Sequence, residues 1–221
     1  CDVTPRQFLA LAGSAASARY RRRLARYRYG PGVFKMDLAL SQPVPWRARE
    51  CANAGTIHIG GSEVEIAHGE HETWNGRHTQ RPYAIVVQPS LFDDSRAPRG
   101  MHTLWAYCHV PNGSTVDMRA RIEEQIERFA PGFRECIVGA SAMGPADLER
   151  QNANLVSGDI AGGAADFAQL VARPILSFRP YRTGAPGVFL CSSSTPPGVG
   201  VHGMCGYYAA QSALAALGAR Q

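Results

Sequence analysis

Lysine is all but missing from this 221-residue chain: Lys35 stands alone among 23 Lys and Arg side chains. A bias this complete reads as a GC-rich coding sequence rather than as selection for nucleic acid, and no nucleic-acid-binding motif accompanies the basic residues. Nucleic acid is therefore not an expected partner. Long apolar runs are missing too. None approaches the ~20 residues that a membrane-spanning helix needs, and no charged-then-apolar leader stands in the sequence as given. The six cysteines (Cys1, Cys51, Cys108, Cys136, Cys191 and Cys205) form no C-x-x-C pair and keep no regular spacing. In a chain of this length that favours reduced thiols and a cytoplasmic setting over a disulfide framework. H-E-x-x-H is absent, and so is G-x-G-x-x-G. Gly158–Gly163 and Gly198–Gly203 come nearest the latter, but neither follows a buried strand with an acidic residue about twenty positions downstream.

What is present describes an ordinary globular protein. Hydrophobic residues make up 45% and charged residues 19%, enough apolar material for a sizeable core in one or two domains. The net charge of +5 has one local concentration, Arg19-Tyr20-Arg21-Arg22-Arg23-Leu24-Ala25-Arg26-Tyr27-Arg28-Tyr29. Arginine interleaved with tyrosine suits an anionic membrane surface or a phosphate backbone. The simpler reading is a solvated helix face that packs Leu24 and the tyrosines inward. Peripheral membrane contact through Arg19–Arg28 is carried as the alternative.

Local patterns divide the rest. Thr4-Pro5 reads as an N-cap and first helical residue, followed by Phe8, Leu9 and Leu11, with Gly13 at the end. Strands are expected at 33–40, 56–60, 83–88 and 102–110, the last two rich in β-branched and aromatic residues. Ser62 with Glu65 three residues on marks a short helix. Val116–Phe129 is an amphipathic helix with Met118, Ile122, Ile126 and Phe129 on one face, and 133–142 returns to the sheet. The fold class is α+β, with an antiparallel sheet at its centre.

Two clusters invite chemistry and are set aside. His58, His68, His71 and His78 lie near Glu70 and Glu72, but Gly69 weakens the helix that would aim them, so solvated residues are expected and no metal. Gly139-Ala140-Ser141-Ala142-Met143 begins like a nucleophile elbow, yet Met occupies the place of the last glycine. Cys191 and Cys205 have no electropositive neighbour in sequence and read as small core thiols.

The most specific stretch is Gly187–Met204. The apolar run Val188-Phe189-Leu190 ends in Cys191-Ser192-Ser193-Ser194-Thr195, and a Pro/Gly-rich loop then opens a small-residue helix over 201–217. Strand, loop and helix in this order build an anion or dipole site, because glycine admits a ligand to the backbone and a helix start presents unpaired N–H groups. The stretch closely resembles the C-terminal flavin-contacting segment of the phytoene dehydrogenase-related FAD oxidoreductases, the group of carotenoid desaturases, carotenoid isomerases and retinol saturases. The resemblance runs from Asp2-Val3-Thr4-Pro5 to the C-terminal helix.

It implies FAD as cofactor, with Ser192 and Ser193 near the ribityl chain or pyrophosphate, and Gly198, Val199, Gly200 and Val201 approaching the isoalloxazine. It further implies hydride transfer to or from an apolar, polyene or lipid-like small molecule. This sequence departs from the family pattern at Ser192, where glycine is usual, at Val199 for a middle glycine, and at Pro196 for a frequent histidine. The expected organisation is a cofactor-domain segment at 1–30, a substrate domain at 31–165, and the C-terminal part of a Rossmann-like FAD domain at 166–221. The N-terminal half that grips the ADP moiety is expected on a longer parent chain. No catalytic acid or base is assigned, and the alternative function is a non-catalytic interaction or membrane-docking module.

Overall fold

A computed structural model describes residues 1–218. In chain order the helices and strands are α1 (Pro5–Ala12), α2 (Ala18–Leu24), β1 (Gly32–Leu40), β2 (Thr56–Ile59), α3 (Glu63–Trp74), β3 (Ala84–Val87), β4 (His102–Val110), α4 (Arg119–Phe129), β5 (Ile137–Met143), α5 (Pro145–Gln151), α6 (Phe167–Val171) and α7 (Met204–Gly218). They form two compact units, Pro31–Leu148 and Cys1–Gly30 with Glu149–Gln221. Within the latter unit Gly30 donates its amide to Asp159, and Tyr27 donates its hydroxyl to the Gly162 carbonyl. No described helix is long and apolar enough to cross a membrane.

Residues 31–148 hold one five-stranded antiparallel sheet in the order β2-β3-β4-β1-β5. β1 and β4 pair along their full length, from Gly32 opposite Val110 to Leu40 opposite His102. This register follows from alternation: Met36, Leu38 and Leu40 share a face with Leu104, Ala106 and Cys108, and a one-residue slip would turn them all outward. Against that face α4 places Ile122 and Ile126, joined by Met118 and Phe133, all fully buried. Each such side chain contributes roughly 1.5–3 kcal/mol on leaving water, so this face dominates the unit's stability. The opposite face carries Lys35, Asp37, Trp105, Tyr107 and His109, half-buried. Gly139–Met143 lies in β5, with Ser141 opposite Asp37, so the serine sits on a regular strand and not at a sharp turn.

The other unit is held by Phe8, Ala16, Tyr20, Leu24, Ala185 and Leu190. Phe8 meets Tyr20 edge-on, with ring centroids 6.0 Å apart. Gly184 is required there, since a Cβ on it would lie 2.5 Å from that of Tyr20. The arginine-rich segment behaves as a surface helix: Tyr20 and Leu24 face inward while Arg19, Arg22 and Arg23 are exposed. Thr4 has the extended backbone of an N-cap but makes no capping bond. Its amide instead donates to Asn154 Oδ1 at 2.9 Å.

Two expected elements differ. Val188–Cys191 forms no ladder; it is irregular apart from a single antiparallel pair, Arg182 with Phe189. A strand needs repeated pairing on at least one side, and here only isolated bonds such as Leu190 N–H to Tyr181 O, 2.9 Å, are made. The final helix starts at Met204, not Val201. Gly200 and Gly203 hold positive φ, which a right-handed helix cannot contain, and His202 Nδ1 accepts the Met204 amide at 3.0 Å.

Candidate functional site

The loop from Cys191 to Gly203 is shaped by hydroxyl groups bonding to backbone. Cys191 N–H donates to Cys1 O at 3.0 Å and Ser192 Oγ to Val3 O at 2.8 Å, which lays the loop along residues 1–3. Thr195 closes a tight turn by donating both its amide and its hydroxyl to Ser192 O, at 2.9 and 2.7 Å. Tyr181 OH reaches Pro196 O at 3.0 Å, and the buried Cys205 thiol lies 3.4 Å from both Thr195 O and Gly198 O. Buried backbone acceptors must be satisfied, and these side chains do so where no secondary structure can. Cys205 is thus a structural donor to the loop.

A second loop, 158–164, packs beneath the first. Asp159 is fully buried; its Oδ1 accepts from the amides of Ala161 and Gly162, at 2.7 and 3.1 Å, and its Oδ2 from Gly30 at 2.7 Å. That is a carboxylate folding its own backbone into a turn. Gly162 and Gly163 both have positive φ. A Cβ on Gly162 would overlap Ser193 Oγ, and one on Gly163 the Tyr27 hydroxyl. Ser194 Oγ and Tyr27 OH converge on Gly162 O, at 2.6 and 2.8 Å. Arg173, only 2% exposed, donates through Nη2 to Tyr27 OH at 3.1 Å and to Gly163 O at 3.2 Å. Burial raises the Tyr27 hydroxyl pKa, and the Arg173 charge and hydrogen bond oppose that shift.

The residues singled out from sequence divide into two groups. Ser192 is buried with its hydroxyl engaged by Val3, and Gly198 is buried against Arg173. Ser193 is half-buried on the rim of a recess of about 130 Å³ shared with Asp2, Asn152, Asn154 and Asp159. Val199, Gly200 and Val201 are exposed, Val201 completely. Gly198 and Gly200, at φ +107° and +152°, lie where a side chain would be obstructed. A Cβ on Gly198 would stand 2.6 Å from Arg173 Nη1.

On the sheet unit a different set of titratable groups gathers at one end of the face opposite the core. His58 Nδ1 and Tyr83 OH are 2.6 Å apart, and Glu70 Oε2 lies 2.8 Å from His109 Nδ1. Tyr107 stands between His109 and Trp105, stacked on the latter at 6.2 Å. Burial raises the pKa of both Tyr83 and Tyr107, with the Glu70 charge adding to the shift at Tyr83. A shallow cavity of about 500 Å³ adjoins Trp105, bounded by Asp37, Arg96 and Ser141. His68 and His71 are exposed, Glu72 is paired with Arg77, and among the described residues no three metal-capable side chains converge.

Comparison with known proteins gives the family context. The chain is 32% identical over 168 residues, 70% of its length, to "pyridine nucleotide-disulfide oxidoreductase domain-containing protein 2" of Rattus norvegicus. Identity to the Mus musculus protein of the same name is 30% over 168 residues. In sequence this chain is similar to oxidoreductases. It spans 29% of the length of these relatives. The crystal structure of an oxidoreductase from Methanosarcina mazei shares the fold, with a TM-score of 0.54 and 15% identity over 92% of this chain and 40% of that one. No protein-family model matches.

Sequence reasoning missed Tyr27, Asp159 and Arg173. Asp159 carried a local signal, an aspartate two and three residues ahead of the amides it accepts, within the glycine-rich run Gly158–Gly163. Tyr27 and Arg173 lie 146 positions apart, and no local pattern joins them. The Glu70–His109 pair, 39 positions apart on a helix and a strand, was equally invisible.

Proposed function

We propose that this chain is the C-terminal portion of an FAD-dependent oxidoreductase of the phytoene dehydrogenase-related group, acting on an apolar polyene or lipid-like substrate. The observation that carries the reading is the Ser192–Gly203 loop: a backbone bare of side chains at Gly198 and Gly200, running into the 15-residue helix α7. The residues fit the cofactor. Exposed backbone at 199–201 and the amides at the helix start carry partial positive charge, which suits the electron-rich edge of a reduced flavin. The Ser193 hydroxyl suits a ribityl or phosphate oxygen. When bound, FAD supplies the redox chemistry as hydride donor or acceptor. The chain's own part is to orient it and to close its flank with Arg173 and Tyr27.

The similarity to oxidoreductases of greater length supports placing the ADP-gripping half on a parent chain. A parent protein containing these residues should purify yellow and release flavin absorbance on denaturation; a colourless protein unable to take up FAD would sink the reading. These 221 residues alone offer only a few hydrogen bonds of ~1 kcal/mol net each, against an association cost of at least ~4 kcal/mol. Their expected FAD affinity is therefore no tighter than millimolar. A micromolar dissociation constant from fluorescence quenching would contradict that anchoring scheme.

A second reading, peripheral membrane docking, draws on one further observation. Arg23 of the arginine-rich helix bonds to the Leu176 carbonyl, and Leu176, Phe178, Phe167 and Leu170 nearby in the chain are exposed. Basic and apolar groups side by side suit an anionic interface. Flotation with anionic liposomes, lost when Arg21, Arg22 and Arg23 become Ala, would favour it; equal and negligible flotation of both proteins would remove it.

A further inference from the structure

Arg173 is a buried cation without a counter-charge. Its exposure is 2%, it forms no ion pair with any described acidic side chain, and both of its hydrogen bonds go to neutral acceptors. Those two bonds use Nη2 alone. Nε is fully buried with no partner, and Nη1 makes no hydrogen bond either, so three of the five guanidinium N–H groups are unused. Asp159, the acid nearest in the network, already accepts three backbone amides and does not reach the guanidinium. Burying a charge is costly unless it is paired and hydrogen-bonded, and removing the charge by deprotonation is closed to arginine.

The position of the idle donors is specific. Nη1 abuts Gly198 at the one point of the loop where any side chain would collide with it, and the backbone beyond, at Val199 and Gly200, is exposed. A phosphate-type oxyanion supplies what the site lacks: negative charge, and several acceptor oxygens for the idle N–H groups. We propose that Arg173 and the Gly198–Gly203 loop form a binding site for a phosphate-type oxyanion. This rests on the loop being a ligand loop, as proposed above, but not on the ligand being a flavin; the same chemistry is carried by free pyrophosphate and by the pyrophosphate of a dinucleotide.

The test titrates the 221-residue chain with inorganic pyrophosphate at constant ionic strength, followed by phosphorus NMR, and repeats it with Arg173→Gln and Arg173→Lys. Competition by FAD and by riboflavin, which lacks phosphate, separates the sources. Expected are saturable binding to the native chain, weakening of at least ~10-fold in Arg173→Gln, and partial retention in Arg173→Lys, which keeps the charge and guards against a merely unfolded variant. No saturable binding, or equal binding to the native chain and Arg173→Gln, overturns the proposal. Arg173-dependent pyrophosphate binding upholds the anion site whether or not FAD displaces it, and the flavin reading falls separately if the parent protein is colourless and takes up no FAD. Pyrophosphate binding indifferent to Arg173, with FAD retained by the parent protein, removes the anion site and leaves the flavin reading standing.

Discussion

Replacing Asp159 by Ala should loosen the floor of the candidate site without touching its surface. The carboxylate accepts three backbone amides, two of them, Gly30 and Gly162, on buried residues. Hydrogen bonds to a charged acceptor contribute about 1.5–3 kcal/mol each, and part of that is offset by the cost of keeping an ionised carboxylate out of water. Taking the two buried amides and allowing for that offset, the net loss should be about 2–4 kcal/mol. Asp159→Asn keeps one acceptor oxygen and should lose less. Because the effect is local, amide hydrogen exchange is the assay of choice. Protection at Gly30, Ala161 and Gly162 should fall by ~10- to 100-fold or more in Asp159→Ala, while the β1–β4 amides keep theirs. Unchanged exchange at Gly30 and Gly162, with a stability loss under ~1 kcal/mol, would refute the assignment of Asp159 as the residue that folds this loop.

Three further outcomes are expected. Tyr20 is buried with its hydroxyl unpartnered, and burial raises its pKa to about 12; Tyr20→Phe should be neutral or stabilising by up to ~1 kcal/mol in denaturant unfolding. The folded state favours neutral Tyr20, so its contribution stands below pH 10 and is lost as pH rises through 10–12, a loss that the phenylalanine variant should lack. His78 has its pKa lowered by burial and by Arg121, so its neutral form is favoured in the fold. Its contribution is present above the unfolded value of 6.5 and fades as pH falls below it, and thermal melts from pH 8 to 5 should show less acid loss in His78→Asn than in the native chain. Gly163→Ala places a methyl group on the Tyr27 hydroxyl at a positive φ and should cost about 1–3 kcal/mol. Tyr27→Phe in the same chain should recover only part of this, since the ring carbon also lies in the way; full recovery, measured by urea unfolding, would show that the hydroxyl alone was at fault.

The sheet unit was largely legible from local sequence. Strict alternation in His102–Val110 and helical spacing of Ile122 and Ile126 fix not only the element type but the face that turns inward, because the periods of 2 and 3.6 are properties of the backbone itself. Leu24 and Tyr20 likewise told which side of the arginine helix is buried. The loop unit was legible only as a loop. Glycine and proline at 196–203 announced irregular backbone, but the start of α7 at Met204 depended on the φ values that Gly200 and Gly203 adopt and on His202 capping the helix. Nor could spacing reveal that Tyr27, Gly163 and Arg173 share one hydrogen-bonded cluster, or that Arg173 enters it without an acidic partner. Hydrogen-bond satisfaction is settled by which groups the closed chain brings within 3 Å of one another. Between residues more than a hundred positions apart, only tertiary structure decides that.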